Sequence, residues 1–249
     1  MNYLTLIKTF DDIGLFYTTI GNRDDYKFID GLIRVRSRIM YHNRNLNDVF
    51  FDSKFEQHAK KMLTDPLNAN DSHEVVSDNL TKIDAELVAM MQAIRTQFDV
   101  FAQIINSELF ANPIDPFIVD FKNIKKQVPD TGLCASIENI ISDQNFIYLD
   151  DFVNSNKHVD LPSINGFGWS KDMEYLIEGF NVSEFKRKIR ERRSSSTATT
   201  YTVNPKELLD LMVILPMWAN DQLKQLSACL KLEQVKKLDS LGEWNEVIL

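Results

Sequence analysis

The chain has 249 residues, of which 44% are apolar and 26% are charged, proportions close to those of an average globular protein. This composition excludes an intrinsically disordered, collagen-like or mainly membrane-embedded chain. The content of 8 glycines and 7 prolines disfavours a turn-rich β-sandwich and a glycine-punctuated dinucleotide fold. We therefore predict a mainly α-helical protein.

Charge and cysteine content restrict the partners and the compartment. The net charge of -8 argues against nucleic-acid binding over the whole surface but leaves room for a local basic patch. Cys134 and Cys229 form no CxxC pair, which disfavours a disulfide framework or a zinc ribbon. The first residues lack the pattern of a signal peptide, and the most apolar stretch, residues 208–219, is too short to cross a bilayer. We expect a cytoplasmic protein without a membrane partner.

The first half of the chain shows helical periodicity. Residues 25–41 and 48–63 carry apolar side chains at helical spacing, and a turn-forming cluster follows at residues 64–71. The strongest signal covers residues 74–109, which we predict to be one long core helix with Ser72 as its N-cap. Its apolar stripe recurs at steps of three and four residues: Val76, Leu80, Ile83, Leu87, Met90, Ile94, Phe98, Phe101 and Ile105. A helix of this length needs other helices alongside it, so the pattern favours a bundle.

The next elements are also predicted to be helical. Apolar spacing indicates a short helix over residues 117–128 and a helical stretch over residues 133–158 with one break inside it. We therefore assign residues 1–160 to a helical bundle.

Beyond residue 160 the pattern changes. Residues 161–169 are predicted to be loop or extended chain, and residues 175–182 and 197–203 are predicted to be two strands of a small hairpin or sheet. Residues 204–207 combine an N-cap, a proline and an acid, which predicts a last helix that runs to about residue 238 with a kink at Pro216. Residues 161–249 are thus expected to form a small irregular or α+β region with a C-terminal helix, packed on the bundle.

The first candidate site is centred on a histidine at the end of the predicted helical stretch. Asn154 precedes His158, and Lys157 lies beside it. This pattern resembles the Arg-Asn-x-x-x-His motif of the HEPN superfamily, although Val153 stands at the position of the arginine. Residues 94–106 similarly resemble the core helix of HEPN-like families.

The resemblance implies both a fold and a chemistry. It implies a HEPN-like helical bundle and a homodimer, in which the arginine and histidine of two subunits cut RNA without a metal, while other members are binding modules. Asn154 and His158 are then the candidate catalytic residues, and Lys157 is a candidate phosphate ligand. Because an aliphatic Val153 cannot stabilise the developing phosphate charge, we expect cleavage to be weak or absent. The alternative is a helix-capping Asn154 and a surface His158.

An earlier helix contains a second candidate. Arg36 precedes His42 with the loose spacing of the same superfamily, while Arg38 and His42 share one helix face at positions i and i+4. Arg36, Arg38 and His42 are therefore candidate phosphate-binding residues. Alternating arginine and apolar residues are equally typical of the solvated face of an amphipathic helix.

A basic run supplies the third candidate. Residues 186–193 contain six cations and one anion, and the phosphate-binding candidates among them are Lys186, Arg187, Lys188 and Arg190. The run is interpreted either as a mobile arm for RNA, DNA or an acidic partner, or as a solvated helix end and loop.

Two functional hypotheses remain open. The motifs Gly-x-Ser-x-Gly, Gly-x4-Gly-Lys-Ser/Thr, Gly-x-Gly-x-x-Gly and His-Glu-x-x-His are absent from the sequence, so we predict neither a cofactor nor a metal. The first hypothesis is a HEPN-like protein that binds RNA or nucleotide phosphate, in a prokaryotic defence or toxin–antitoxin setting as the resemblance implies; as an enzyme it would be a metal-independent ribonuclease. The alternative is a catalytically empty helical module for dimerisation or protein interaction.

Overall fold

A computed structural model describes the chain over residues 26–50, 52–110, 113–129 and 131–158, over short segments at 164–165, 168–169, 175–176, 181–182, 185–190, 198–203 and 206–208, and over residues 210–241. Most of these residues are helical, so the predicted mainly α fold is confirmed. The helices of these ranges are α1 Tyr26–Phe50, α2 Ser53–Thr64, α3 Asn70–Leu109, α4 Phe121–Ile124, α5 Gly132–Ser142, α6 Gln144–His158 and α7 Leu215–Leu241. Within the same ranges, no helix has the length and apolar character needed to span a membrane.

Short strands occur between α6 and α7. They are β1 Ile164–Asn165, β2 Gly168–Trp169, β3 Tyr175–Leu176, β4 Asn181–Val182, β5 Phe185–Arg190, β6 Ala198–Val203 and β7 Lys206–Glu207. All described pairs are antiparallel, with β4 between β1 and β7, β2 beside β3, and β5 beside β6. Residues 198–203 form a strand as predicted, but a hairpin of residues 175–182 with 197–203 is not found, because β6 pairs with the basic segment β5. Charged residues have low strand propensity, so the local sequence does not mark β5 as a strand.

Two predicted helix starts also differ from the structure. Ser72 lies inside α3 rather than at its N-cap, and the backbone carbonyl of Ala69 accepts hydrogen bonds from the amides of Ser72 and His73. The predicted helix start at residues 204–207 is wrong, because Lys206 and Glu207 form β7. A π-helical turn, Asp210–Ile214, leads into α7 instead. Pro216 is the second residue of α7 and follows this turn directly.

The predicted short helix over residues 117–128 is replaced by two smaller elements. Pro116–Ile118 forms a 3-10 turn, and α4 covers Phe121–Ile124. The intervening backbone is held by polar side chains of α3, since the Gln103 amide donates to the carbonyls of Pro116 and Val119. These hydrogen bonds take carbonyl groups that a continuous helix would use internally.

The described residues divide into two compact units. One, the Phe98 unit, is drawn from the ranges Met1–Arg36, Ile94–Ile147 and Met217–Leu249. The other, the Glu86 unit, is drawn from Ser37–Ala93 and Tyr148–Pro216. Each unit therefore combines segments from both sides of residue 160, the boundary predicted from the sequence.

The Phe98 unit is built around an aromatic cluster. The ring centroid of Phe98 lies 5.2 Å from that of Phe121, 5.4 Å from that of Phe146 and 5.7 Å from that of Trp218. Phe98, Phe121 and Phe146 are fully buried. The apolar stripe of α3 faces the core as predicted, with every member buried except Leu80, which is half-buried. Burial of such rings supplies much of the free energy that holds a helical bundle together.

Candidate phosphate-binding site

The most complete polar arrangement in the Glu86 unit is centred on His42. Near the C-terminal end of α1, Nδ1 of His42 lies 2.6 Å from Oε2 of Glu86 on α3. Because an ionised carboxylate only accepts hydrogen bonds, the imidazole is the donor. The side chains of His42 and Glu86 are 21% and 25% exposed, so the pair is accessible from solvent. This hydrogen bond fixes the ring and leaves Nε2 for a ligand.

The second oxygen of Glu86 is also occupied. Nδ2 of Asn45, one turn after His42 on α1, donates to Oε1 of Glu86 at 2.9 Å. Both carboxylate oxygens thus accept a hydrogen bond from α1. The carboxylate therefore holds both the imidazole and the amide in place.

Arg38 lies one turn before His42 and is exposed. Its guanidinium forms no hydrogen bond or ion pair with any residue in the described part of the chain. By contrast, Arg34, one turn further back on the same helix, is held by Asp30 at 2.6 Å. A guanidinium on the same helix face as a fixed imidazole suits a phosphate group, because a guanidinium donates hydrogen bonds to phosphate oxygens and an imidazolium, with both ring nitrogens protonated, can do the same.

The aromatic neighbour of His42 extends this face. The ring of Tyr41 meets the imidazole edge to face at a centroid distance of 5.3 Å, and the guanidinium of Arg44 lies 5.8 Å from the centre of the Tyr41 ring. Tyr41 is 53% exposed. The end of α1 therefore carries two arginines, an imidazole and an accessible aromatic ring within two helical turns.

Arg36 is not part of this accessible face. It is 4% exposed, and its Nη2 donates to Oδ1 of Asn220 at 3.0 Å. A guanidinium in this position contributes to the interior of the Phe98 unit, so the predicted role of Arg36 as a phosphate ligand is not supported by its location.

The HEPN-like motif of α6 is placed differently. Val153 is 5% exposed and belongs to the core, while Asn154 is exposed and its Nδ2 donates to Oδ2 of Asp150 at 3.1 Å. The amide of Asn154 thus pairs with a side chain one turn earlier on its own helix, and this hydrogen bond is not a helix cap. His158 is the last residue of α6, and the side chains of Lys157 and His158 lie outside the described atoms.

The basic run forms the strand β5. Its register pairs Lys186 with Thr202, Lys188 with Thr200 and Arg190 with Ala198. Phe185, the first residue of β5, is buried against Tyr148 and Phe152. The residues that pair with Lys186, Lys188 and Arg190 across the hairpin are uncharged. The helix-end interpretation is wrong for residues 186–190, because they belong to a strand.

Glu86 and Asn45 are the two members of the His42 arrangement that sequence analysis missed. Glu86 is 44 residues away from His42 in the chain, and nothing in its local pattern distinguishes it from a solvated helix position. Asn45 could be suspected from its position three residues after His42, which places it on the same helix face.

Comparisons of this chain with protein-family models, curated proteins and solved structures find no match. The HEPN relationship therefore stays a hypothesis that depends on the motif residues alone. Among the residues that the structure describes, no group of three or more His, Cys, Asp or Glu side chains is placed to hold a metal ion.

Proposed function

We propose that this protein binds the phosphate groups of RNA or of a nucleotide at the His42 site, which consists of Arg38, His42, Asn45 and Glu86. The observation that carries the proposal is the imidazole of His42, fixed by Glu86 at 2.6 Å, with an exposed Arg38 one turn away that has no described partner. Arg38 offers a bidentate guanidinium, and the free Nε2 of a protonated His42 offers a second donor.

The cations that alternate along β5 favour a polymeric ligand over a single nucleotide. Lys186, Lys188 and Arg190 recur at every second position of one strand, which spaces them about 7 Å apart. Such a row can neutralise several phosphates of a nucleic-acid backbone, whereas one nucleotide uses few of them. The His42 site and β5 both belong to the Glu86 unit. We therefore favour RNA as the ligand, as the HEPN resemblance also implies.

The buried Val153 argues for binding without efficient cleavage. A HEPN-like active site needs a cation at this position to stabilise the phosphorane, and a 5% exposed valine cannot supply one. The proposed function is consequently RNA binding by a HEPN-like protein whose motif has lost its arginine.

Two arginines on α1 provide the decisive experiment. Fluorescence anisotropy with labelled single-stranded RNA measures the dissociation constant of the wild type, Arg38→Gln and the matched control Arg34→Gln. We expect Arg38→Gln to weaken binding about 10-fold or more and to lower the slope of log K against log salt by about 0.7, the value for one phosphate contact on a single strand. Arg34→Gln, whose side chain is paired with Asp30, should change neither quantity substantially.

The same assay tests β5. Neutralising Lys186, Lys188 and Arg190 to Gln should remove about 2 from the salt slope, since three single-strand contacts contribute about 0.7 each. Absence of RNA binding by the wild type at about 50 mM salt would reject the proposal. Binding of a labelled nucleotide that survives the β5 substitutions, with no binding of RNA, would identify a nucleotide site instead.

A further inference from the structure

An almost completely exposed phenylalanine lies in the Phe98 unit, whereas the proposed phosphate ligands belong to the Glu86 unit. Phe117 is 97% exposed and occupies the middle of the 3-10 turn Pro116–Ile118, and its neighbour Ile118 is 64% exposed. Adjacent large apolar side chains at such exposure are a common mark of an interaction surface.

This turn is held rigidly by polar side chains. The amide group of Asn106 both donates to the carbonyl of Ile114 at 2.8 Å and accepts from its backbone N–H at 2.9 Å. Gln103 donates to the carbonyls of Pro116 and Val119, and Oδ1 of Asp115 accepts from the N–H of Phe117 at 3.0 Å. The exposed ring is therefore presented on a fixed backbone, which lowers the entropy lost when it binds.

A groove lies beside the exposed ring. It has a volume of about 270 Å³, and Ile114 and Ile118, which flank Phe117 in the chain, form part of its wall. The rest of the lining is Val119, Asn123, Ile124, Lys126 and Gln127. A cavity of about 150 Å³ accommodates a benzene molecule, so this groove has room for a phenylalanine ring.

The charges on this patch are complementary to one another. The groove lining contains the cation Lys126 and no carboxylate. The turn that carries Phe117 begins at Asp115, an exposed acid whose Oδ2 accepts no hydrogen bond from a described residue. The turn thus carries an apolar ring and an acid, while the groove offers apolar walls and a base, so the turn of one copy matches the groove of another in both respects.

We propose that a second copy of this chain docks on this patch, with Phe117 of each copy in the groove of the other and Asp115 of each copy facing Lys126 of the other. Two rings bury about 150–250 Å² each, which is well below a standard interface, so the dimer is expected to be weak and concentration-dependent. This inference does not depend on phosphate binding.

The chain contains a closely matched control. Leu67 is 90% exposed in the middle of the 3-10 turn Pro66–Asn68, and both turns have the sequence Asp-Pro followed by the exposed apolar residue. Sedimentation equilibrium of the wild type, Phe117→Ser and Leu67→Ser therefore separates a specific contact from general surface hydrophobicity. We expect Phe117→Ser to weaken dimerisation at least about 30-fold, as for the loss of an interface hot spot, and Leu67→Ser to leave it unchanged. A wild type that is monomeric at every concentration, or an equal loss in both variants, overturns the proposal.

A photo-crosslinking amino acid at position 117 identifies the occupant directly. In a mixture of ¹⁴N- and ¹⁵N-labelled protein, we expect mixed-isotope crosslinks from position 117 to the peptide that contains Ile124 and Lys126. Crosslinks within one chain, including any to residues 1–25, or crosslinks only to another protein added from a lysate, would overturn the assignment to a second copy. Because Phe117 is exposed, circular dichroism should show the same melting temperature for all variants within a few degrees.

Discussion

The two stretches of α3 differ in the contacts that their side chains make. In the Phe98 unit, residues 94–109 bury Phe98 and Phe101 completely. In the Glu86 unit, residues 70–93 bury an apolar stripe as well, but Glu86 stays 25% exposed and holds two polar side chains of α1. We expect this difference to separate the residues that set stability from those of the proposed ligand site. Substitutions in the first stretch should reduce the free energy of unfolding, whereas substitutions around Glu86 should change binding with little effect on folding.

The largest expected effect belongs to the aromatic cluster. Phe98→Ala should lower the free energy of unfolding by roughly 3–5 kcal/mol, because it removes a fully buried ring that contacts Phe121, Phe146 and Trp218. Urea denaturation measures this loss. Lys82→Ala, at an exposed position of the same helix, is the control and should change stability by less than about 0.5 kcal/mol. Equal denaturation midpoints for the two variants would show that the cluster is not a core.

A smaller loss is expected where α3 holds the Phe117 turn. Asn106→Ala removes both hydrogen bonds to the backbone of Ile114 and should cost about 1–3 kcal/mol. Amide hydrogen exchange should show faster exchange at Ile114. Ser107→Ala is the control, since the Ser107 hydroxyl donates only to Ile104 within its own helix. Unchanged exchange at Ile114 in Asn106→Ala would mean that the turn is held by other contacts.

Substitution of Asp84 is expected to raise the free energy of unfolding, in contrast to the two substitutions above, and the gain should depend on pH. Burial raises the pKa of Asp84 above its ordinary value of 3.8, and its Oδ1 has no hydrogen-bond partner among the described residues. The folded state therefore holds this proton more tightly than the unfolded state, and ionisation of Asp84 reduces stability as pH rises through the raised pKa. Asp84→Asn should be more stable than the wild type at pH 7, and this gain should vanish below about pH 3.8. Urea midpoints that differ equally at both pH values would contradict the assignment of the effect to ionisation.

The smallest effect that we expect is the rate at which the protein cleaves RNA. Purified protein should cleave RNA weakly or not at all, because the proposed HEPN resemblance requires an arginine where this chain has the buried Val153. A gel assay with labelled RNA in EDTA, comparing the wild type with His158→Ala and His42→Ala, measures any activity. EDTA-resistant cleavage that is lost in His158→Ala would show that His158 on α6 is catalytic despite the missing arginine. Cleavage lost only in His42→Ala would instead make the Glu86-held imidazole the group that moves the proton.

Part of the candidate site is predictable from local spacing. The positions i and i+4 place Arg38 and His42 on one helix face, and the same rule predicts the buried stripe of α3 through Phe98. The sequence does not predict that Arg36 is buried against Asn220, because both arginines alternate with apolar residues in the same local pattern. Burial depends on what packs against each face of the helix, and residues distant in the chain supply that contact.

The sequence by itself determined the helical character of this protein and the periodicity of its core, because both depend on interactions between residues three or four positions apart. Only the tertiary structure decided that Glu86 fixes His42, that β6 pairs with the basic strand β5, and that Asn106 and Gln103 hold the turn of Phe117. The hydrogen bond of Glu86 to His42 joins two helices. The register of β5 against β6 is one in which the ring of Phe185 is buried, and a shift by one residue would move that ring to the other face. Such interactions leave no local pattern in the sequence, because a polar residue that bonds to a distant partner has the same neighbours in the chain as a polar residue that faces solvent.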